Sequence, residues 1–237
     1  MGGVALAFVC ATSCTAQTTV TGQVRIERPG SVKNVAKGKA GDGEVVVWLK
    51  PVDGSAVPPL AKDAPRPKLV QKDKKFEPHL LVVRAGAVVD FPNRDPFFHN
   101  VFSLFDGKRF DLGLYEAGAT NSVRFDRPGV SFLFCNIHPE MSAVVISLDT
   151  PYYAVSNDAG AVTIAGVPDG RYEMHVWYEK SLPEVLTKLT KVVRVDSSSS
   201  RLGSIAVQEN QSFAPEHKNK YGQEYTPPPT NNSYSHP

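Results

Sequence analysis

Short apolar runs, bounded by glycine, proline, asparagine and aspartate, recur along this chain. Runs of this length that are rich in β-branched and aromatic residues are typical of β-strands, and no long segment shows apolar residues at helical spacing. Residues 18–27 alternate moderately between apolar and polar, and residues 44–50 contain the strong strand pattern Val45-Val46-Val47-Trp48-Leu49. The pattern predicts an all-β fold.

The most informative segment is a loop between two apolar runs, residues 131–134 and residues 143–148. It reads Cys135-Asn136-Ile137-His138-Pro139-Glu140-Met141 and so combines a thiol, an imidazole and a thioether. A second histidine, His99, follows an earlier apolar run at residues 87–91. Two imidazoles, one thiolate and a weakly bound thioether are the ligand set of a blue-copper electron-transfer site.

Other interpretations of the loop fit its sequence less well. A cysteine after aromatic residues is often a buried core thiol, but Asn136, Pro139 and Glu140 mark a turn rather than a continuing strand. Structural zinc prefers four cysteine or histidine ligands and has little use for a thioether. A Cys–His nucleophilic pair would be expected with a third orienting residue and an oxyanion loop, and neither is apparent in the sequence. The loop therefore predicts a copper site.

The residues around both segments resemble a known family. The stretch from Phe91 through Asp95 to His99-Asn100-Val101 resembles the first ligand half of a cupredoxin, and the Cys-x-x-His-x-x-Met spacing is similar to the short ligand loop of amicyanin. The wider region, roughly residues 70–150, resembles secreted bacterial proteins labelled plastocyanin-like or methylamine-utilisation proteins. The resemblance implies a Greek-key β-sandwich over residues 69–150.

The same resemblance implies a role for each candidate site residue. His99, Cys135 and His138 would be the equatorial ligands of one type 1 copper ion per chain, and Met141 would be its axial ligand. Asn100 would hydrogen-bond the cysteine loop, the kind of outer contact that fixes ligand geometry.

The resemblance also implies where electrons enter and leave. In cupredoxins the edge of the C-terminal histidine emerges through a small apolar patch, which here would surround His138 and include Pro139 and Phe97 as partner-facing residues. A small apolar patch suits brief redox encounters. The expected partners are redox proteins such as a c-type cytochrome or a quinoprotein dehydrogenase.

We therefore expect an electron carrier and not an enzyme. The chain contains no His-x-His pair, so a trinuclear copper cluster of the multicopper-oxidase type has no ligands here. Two alternatives remain. One is a copper-binding or delivery protein that does not cycle between oxidation states, which the total of three methionines does not favour. The other is an envelope-binding module in which copper is structural.

A second β module is predicted after residue 149. Residues 157–160, 162–172 and 174–177 resemble the carboxypeptidase-regulatory, transthyretin-like β-sandwich, and Asp169-Gly170 is a hairpin turn signal. That family places two strands directly before this motif, and the matching strands here lie in residues 17–52. The prediction is a sandwich split between residues 17–52 and 151–208. Consecutive domains with an independent N-terminal hairpin are the alternative.

The remaining segments complete the predicted domain organisation. Residues 53–68 form a proline-rich linker before the cupredoxin-like region, and residues 209–237 have the polar, proline-containing composition of a disordered tail. The formal net charge of +2 does not indicate binding to nucleic acid or to a membrane surface through a polybasic segment. We expect no transmembrane segment in the mature chain.

The N-terminal residues 1–16 contain an apolar, small-residue stretch that resembles a secretory signal peptide, although it has no positive n-region. Cleavage after Ala16 would give a periplasmic or secreted protein. Lipoprotein anchoring through Cys14 is the alternative, but residues 11–13 form a poor lipobox. Either route leaves Cys135 as the only thiol of the mature body, and an unpaired cysteine in an oxidising compartment favours a metal-bound role.

Overall fold

A computed structural model describes residues 17–28, 43–104, 107–210 and 218–225. The predicted signal peptide, including Cys14, lies outside the described residues, as do residues 211–217 and 226–237 of the predicted tail. The described residues form sixteen strands and one six-residue helix. The prediction of an all-β fold is confirmed. None of the described helical structure is long and apolar enough to cross a membrane.

In chain order, the strands and the helix have the following limits: β1 (Gln17–Glu27), β2 (Val45–Pro51), β3 (Val70–Lys72), β4 (Lys75–Glu77), β5 (Leu80–Arg84), β6 (Val88–Pro92), β7 (His99–Ser103), β8 (Phe110–Tyr115), β9 (Thr120–Arg124), β10 (Gly129–Phe134), β11 (Ser142–Leu148), β12 (Tyr153–Val155), β13 (Ala161–Pro168), β14 (Gly170–Tyr178), α1 (Pro183–Lys188), β15 (Lys191–Val195) and β16 (Arg201–Gln208).

The described residues fall into two compact units, whose chain limits are residues 1–55 with 152–211 and residues 56–151 with 212–237. The first unit contains two sheets with strand orders β13-β1-β16 and β12-β2-β14-β15. Strands β1 and β2 are therefore inner strands, although they precede the other strands of this unit by about a hundred residues of chain. The split sandwich and its transthyretin-like character stay predictions.

Alternation of apolar and polar residues explains the first unit's core. In β14, Tyr172, Met174, Val176 and Tyr178 are buried, whereas the residues between them are partly exposed. Successive side chains of a strand point to opposite faces, so this alternation directs one face of the sheet to the interior.

The second unit carries the loop singled out from the sequence. Its largest sheet has the strand order β5-β11-β10-β7-β8, and two smaller sheets pair β3 with β4 and β6 with β9. Its core contains buried apolar side chains from several of these strands, among them Phe76, Phe91, Val101, Leu133 and Val145. Cys135 and Met141 belong to the same buried cluster.

Residues 218–225 belong to the predicted disordered tail, yet they form a defined turn. The Asn219 side-chain oxygen accepts hydrogen bonds from the backbone N–H groups of Tyr221 (2.9 Å) and Gln223 (3.0 Å). Side-chain acceptance of this kind is how asparagine builds a turn without a neighbouring strand. The prediction of disorder does not hold for this stretch.

Candidate metal centre

Two neighbouring strands bring the candidate ligands together. Cys135 follows the last residue of β10, and His99 is the first residue of β7, which lies beside β10 in the sheet. The Cys135 N–H donates to the Met141 carbonyl oxygen (3.3 Å), and the Met141 N–H donates to the His138 carbonyl oxygen (3.1 Å). These two bonds close the loop between β10 and β11 and direct its ligand residues toward β7.

Three donor atoms converge at this point. The Nδ1 atoms of His99 and His138 are 3.1 Å apart, and the Cys135 Sγ lies 3.9 Å from the first and 3.6 Å from the second. Metal bonds of about 2.0–2.1 Å to nitrogen and about 2.3 Å to sulfur place donors of one ion roughly 3.3–3.8 Å apart. Within the described part of the chain, these three residues form the one group of this kind. The donor set fits a single metal ion.

Burial and hydrogen bonding have opposite effects on the pKa of the Cys135 thiol. Burial raises the pKa of the Cys135 thiol, while hydrogen bonds from the backbone N–H groups of Ile137, Asn100 and His138 partly offset that rise. The metal-free site therefore holds a protonated thiol at neutral pH. A bound cation would take the place of that proton, because metal ligation by cysteine requires the thiolate.

An acidic side chain orients the first histidine. The Asp95 Oδ2 lies 2.7 Å from His99 Nε2, and the carboxylate also accepts the backbone N–H groups of Asp73 (2.7 Å) and Lys74 (3.0 Å). Burial raises the pKa of the Asp95 carboxyl, but hydrogen bonds from Lys74, His99 and Asp73 outweigh it and leave that pKa below its ordinary value. The ionised carboxylate holds the proton on Nε2, so Nδ1 is free to bind a metal.

The sequence pattern around Asp95 indicates no role for this residue. The residue sits four positions before His99, a spacing that carries no signal outside a helix. Its contact with His99 depends on the conformation of the chain between β6 and β7, which the sequence pattern does not encode locally.

Replacing Asp95 by asparagine is expected to lower metal affinity by about 10–100-fold, the usual effect of removing an outer partner of a ligating histidine. The amide cannot supply the negative charge that fixes the His99 tautomer. Competition with a chelator, followed at equilibrium on the Co(II)-loaded protein, measures the change. Asp126→Asn is the matched control, because this carboxylate is exposed and binds Lys108 instead. Equal affinities for both variants would contradict the assignment.

The side chain of Asn100 connects the cysteine loop to the neighbouring strand. Its Oδ1 accepts the backbone N–H of Asn136 (3.3 Å), and its Nδ2 donates to Asp111 Oδ1 (2.8 Å) and to the Gly113 carbonyl oxygen (3.0 Å). This is the contact that the family resemblance implies for Asn100. Its importance for metal binding stays a prediction.

Met141 is fully buried in the same core cluster as Cys135. Its backbone closes the ligand loop, as described above. Its thioether as an axial ligand stays a prediction.

Apolar side chains surround the accessible side of the site. His99 and Cys135 are buried, whereas His138 is half-buried. The Phe97 ring centre lies 5.2 Å from that of His99 and 5.7 Å from that of His138. Phe97, Ile137 and Pro139 are exposed next to this half-buried imidazole. The two residues predicted to face a partner, Phe97 and Pro139, are therefore both at the surface.

No protein-family model and no curated protein sequence matches the chain at a significant level. Several solved structures resemble part of it. A purple cupredoxin from Nitrosopumilus maritimus is 21% identical over 35% of this chain and 99% of its own, with a TM-score of 0.32. Amicyanin from Paracoccus versutus is 19% identical over 42% of this chain and 91% of its own, with a TM-score of 0.33.

A Cu-containing nitrite reductase (NirK) from Thermus scotoductus SA-01 is 20% identical over 52% of this chain, with a TM-score of 0.34. The match spans 28% of the reductase chain. At these values the likenesses do not assign the chain to a family, and the functional conclusion depends on the geometry of its own residues.

Proposed function

We propose that this protein carries single electrons on one type 1 copper ion held by His99, Cys135 and His138, with Met141 as the weak axial ligand. The observation that carries the proposal is the convergence of two imidazole Nδ1 atoms and one cysteine sulfur at mutual distances of 3.1–3.9 Å. A buried methionine in the same loop supplies the soft fourth donor that the ligand set requires.

The donor chemistry favours copper over zinc. Structural zinc sites use four cysteine or histidine ligands, and catalytic zinc sites keep a water-filled position. Here the described residues offer two histidines and one cysteine, and the two ligands His99 and Cys135 have no solvent exposure. A thiolate and a thioether together suit copper in its reduced state, and the imidazoles suit both oxidation states.

Copper, when bound, supplies the one-electron redox chemistry. The protein's residues exclude water from the site and fix the positions of the ligands. Buried Cys135 and His99 keep water away from the donor atoms. Asp95 fixes the ring of His99, and Asn100 joins the cysteine loop to β8. The ligands are thus held by two paired strands and a closed loop, so their positions need change little between oxidation states.

Electron exchange is proposed to occur at the half-buried edge of His138. This imidazole is the most accessible of the four proposed ligands, and apolar Phe97, Ile137 and Pro139 lie around it at the surface. Apolar side chains are easily desolvated, and a small contact area allows rapid dissociation after each encounter. The proposed partners are periplasmic redox proteins such as a c-type cytochrome or a quinoprotein dehydrogenase, and the proposed location is the periplasm or the extracellular space.

The proposal is tested on the purified full-length protein loaded with Cu(II). We expect an intense visible absorption band from thiolate-to-copper charge transfer. The band should disappear on addition of ascorbate and return after reoxidation. A copper-loaded protein that is colourless when oxidised would overturn the type 1 assignment. A coloured protein whose copper passes to an apo-protein without any reversible bleaching would instead indicate copper delivery.

A further inference from the structure

A short C-terminal segment contacts the candidate cysteine loop. We call residues 218–225 the C-terminal strap. The Tyr225 hydroxyl donates a hydrogen bond to the carbonyl oxygen of Cys135 (2.7 Å), and the backbone N–H of Lys220 donates to Asn136 Oδ1 (3.0 Å). Two consecutive residues of the metal loop are therefore held by a segment more than eighty residues further along the chain.

The strap also closes a ring of polar contacts. The Lys220 Nζ binds Asp111 Oδ2 (2.7 Å), Asp111 Oδ1 accepts from Asn100 Nδ2 (2.8 Å), and Asn100 Oδ1 accepts from the N–H of Asn136 (3.3 Å). Asn136 in turn accepts from the backbone of Lys220. Each member of the ring is thus fixed by two others, and a closed network of this kind resists displacement of any single member.

Two members of this ring are sequence neighbours of proposed metal ligands. Asn100 directly follows the proposed ligand His99, and Asn136 directly follows the proposed ligand Cys135. Any shift of either asparagine would move the backbone of a ligand. The ring therefore connects the two buried ligands through groups that do not themselves donate to the metal.

Hydrogen bonds within the strap stabilise its own turn. The Asn219 N–H donates to the Gln223 carbonyl oxygen (2.9 Å), and the Gly222 N–H donates to the Asn219 carbonyl oxygen (2.9 Å). Gly222 has a φ of 74°, a left-handed conformation that glycine adopts without strain. Lys220 lies within this turn, and the residues after the turn bring Tyr225 to the loop.

We propose that the C-terminal strap is a positioning element of the metal centre, with Tyr225 and Lys220 as its positioning residues. The inference depends on the proposed function, because it concerns how the cysteine loop holds a metal ion. By fixing the Cys135 carbonyl and the Asn136 side chain, the strap keeps the loop N–H groups of Ile137 and His138 directed at the sulfur.

Two consequences follow for a metal-loaded protein. Release of the metal requires the cysteine loop to open, so the strap should slow that release. Hydrogen bonds to the cysteine sulfur also tune the reduction potential. Weaker bonds leave more electron density on the thiolate, which favours the oxidised metal, so loosening the strap should lower the potential.

The test compares Tyr225→Phe with Tyr172→Phe in the full-length chain. The first variant removes the hydroxyl that binds the Cys135 carbonyl oxygen (2.7 Å), and the second removes a hydroxyl that makes the same kind of bond, to the Pro168 carbonyl oxygen (2.8 Å), in the first unit. Iodoacetamide labelling of Cys135 in the metal-free protein, followed by peptide mass spectrometry, reports how often the loop opens. Release of Co(II) to a chelator and the reduction potential of the copper form report the effect on the site.

For Tyr225→Phe we expect labelling and metal release to accelerate several-fold, up to about tenfold, as loss of one hydrogen bond to a loop carbonyl predicts. The potential should fall, and Tyr172→Phe should match the wild type in all three measurements. Lys220→Met is a second variant, which removes the contact with Asp111 and keeps the strap backbone. It should accelerate release as well.

Identical rates for the wild type and Tyr225→Phe would overturn the strap proposal. Accelerations that merely follow a loss of unfolding stability in the metal-free protein, measured by thermal melting, would also overturn it. A wild type with no thiolate-to-metal absorption would overturn the proposed function and the strap's role toward a metal. Because Cys135 labelling needs no metal, it separates that failure from a failure of the strap to hold the loop.

Discussion

Replacing Cys135 by serine is expected to abolish the strong visible absorption of the copper-loaded protein. The band requires a thiolate, and a serine hydroxyl neither ionises at neutral pH nor offers a soft donor. The fold should survive, because the hydroxyl can accept the hydrogen bonds from the Ile137 and His138 N–H groups that now reach the sulfur. We expect a stability loss of about 1–3 kcal/mol for placing a hydroxyl at a fully buried position.

The visible spectrum and a thermal melt by circular dichroism measure these two effects separately. His79→Gln is the matched control, because His79 is exposed and its ring Nδ1 lies 3.1 Å from the Ser142 carbonyl oxygen, outside the candidate donor group. The control should keep the full absorption band. A Cys135→Ser protein that still shows the wild-type band would exclude Cys135 as the source of the colour.

The loop could be recognised from the sequence because its chemistry is local. Cys135, His138 and Met141 lie within seven consecutive residues, and their side-chain types alone indicate a soft metal site. The first two strands could also be predicted from local sequence. Apolar alternation predicts strands at residues 18–27 and 44–50, and the structure has them at Gln17–Glu27 and Val45–Pro51.

Other contacts of the loop could not be predicted, because they depend on residues that are distant in the sequence. His99 was a candidate ligand by residue type and family resemblance, but it lies beside Cys135, 36 positions further along the chain, only because β7 lies beside β10. Asp95 acquires its role from the fold of the preceding segment. In the tail, Asn219 and Tyr225 have the residue types of a disordered segment, and no local pattern shows that Tyr225 binds a carbonyl group 90 positions earlier.

The final prediction concerns the first unit, whose strands come from two separate parts of the chain. A fragment limited to residues 152–211 is expected not to fold. Strand β1 lies between β13 and β16, and β2 lies between β12 and β14, so the fragment lacks the inner strand of one sheet and an inner strand of the other.

The free energy of burial that the fragment loses is large compared with the free energy of unfolding of a small domain. Six residues of the missing strands are at most 5% exposed, namely Val20, Val24, Val45, Val46, Val47 and Leu49. Burial of each contributes about 1.5–3 kcal/mol, whereas a whole domain is stable by only about 5–15 kcal/mol. Circular dichroism of the fragment should therefore show no cooperative melt.

The matched control is a chain in which residues 17–55 are joined directly to residues 152–211 by a short glycine–serine linker. The Leu49 N–H donates to the Tyr152 carbonyl oxygen (2.8 Å), and Trp48 pairs with Tyr153, so β2 and β12 run as neighbours that a short turn can connect. This chain should show strand-rich circular dichroism and a cooperative melt, because inserted regions enter at surface loops that can be closed again. A folded 152–211 fragment together with an unfolded joined chain would contradict the split sandwich and support consecutive domains.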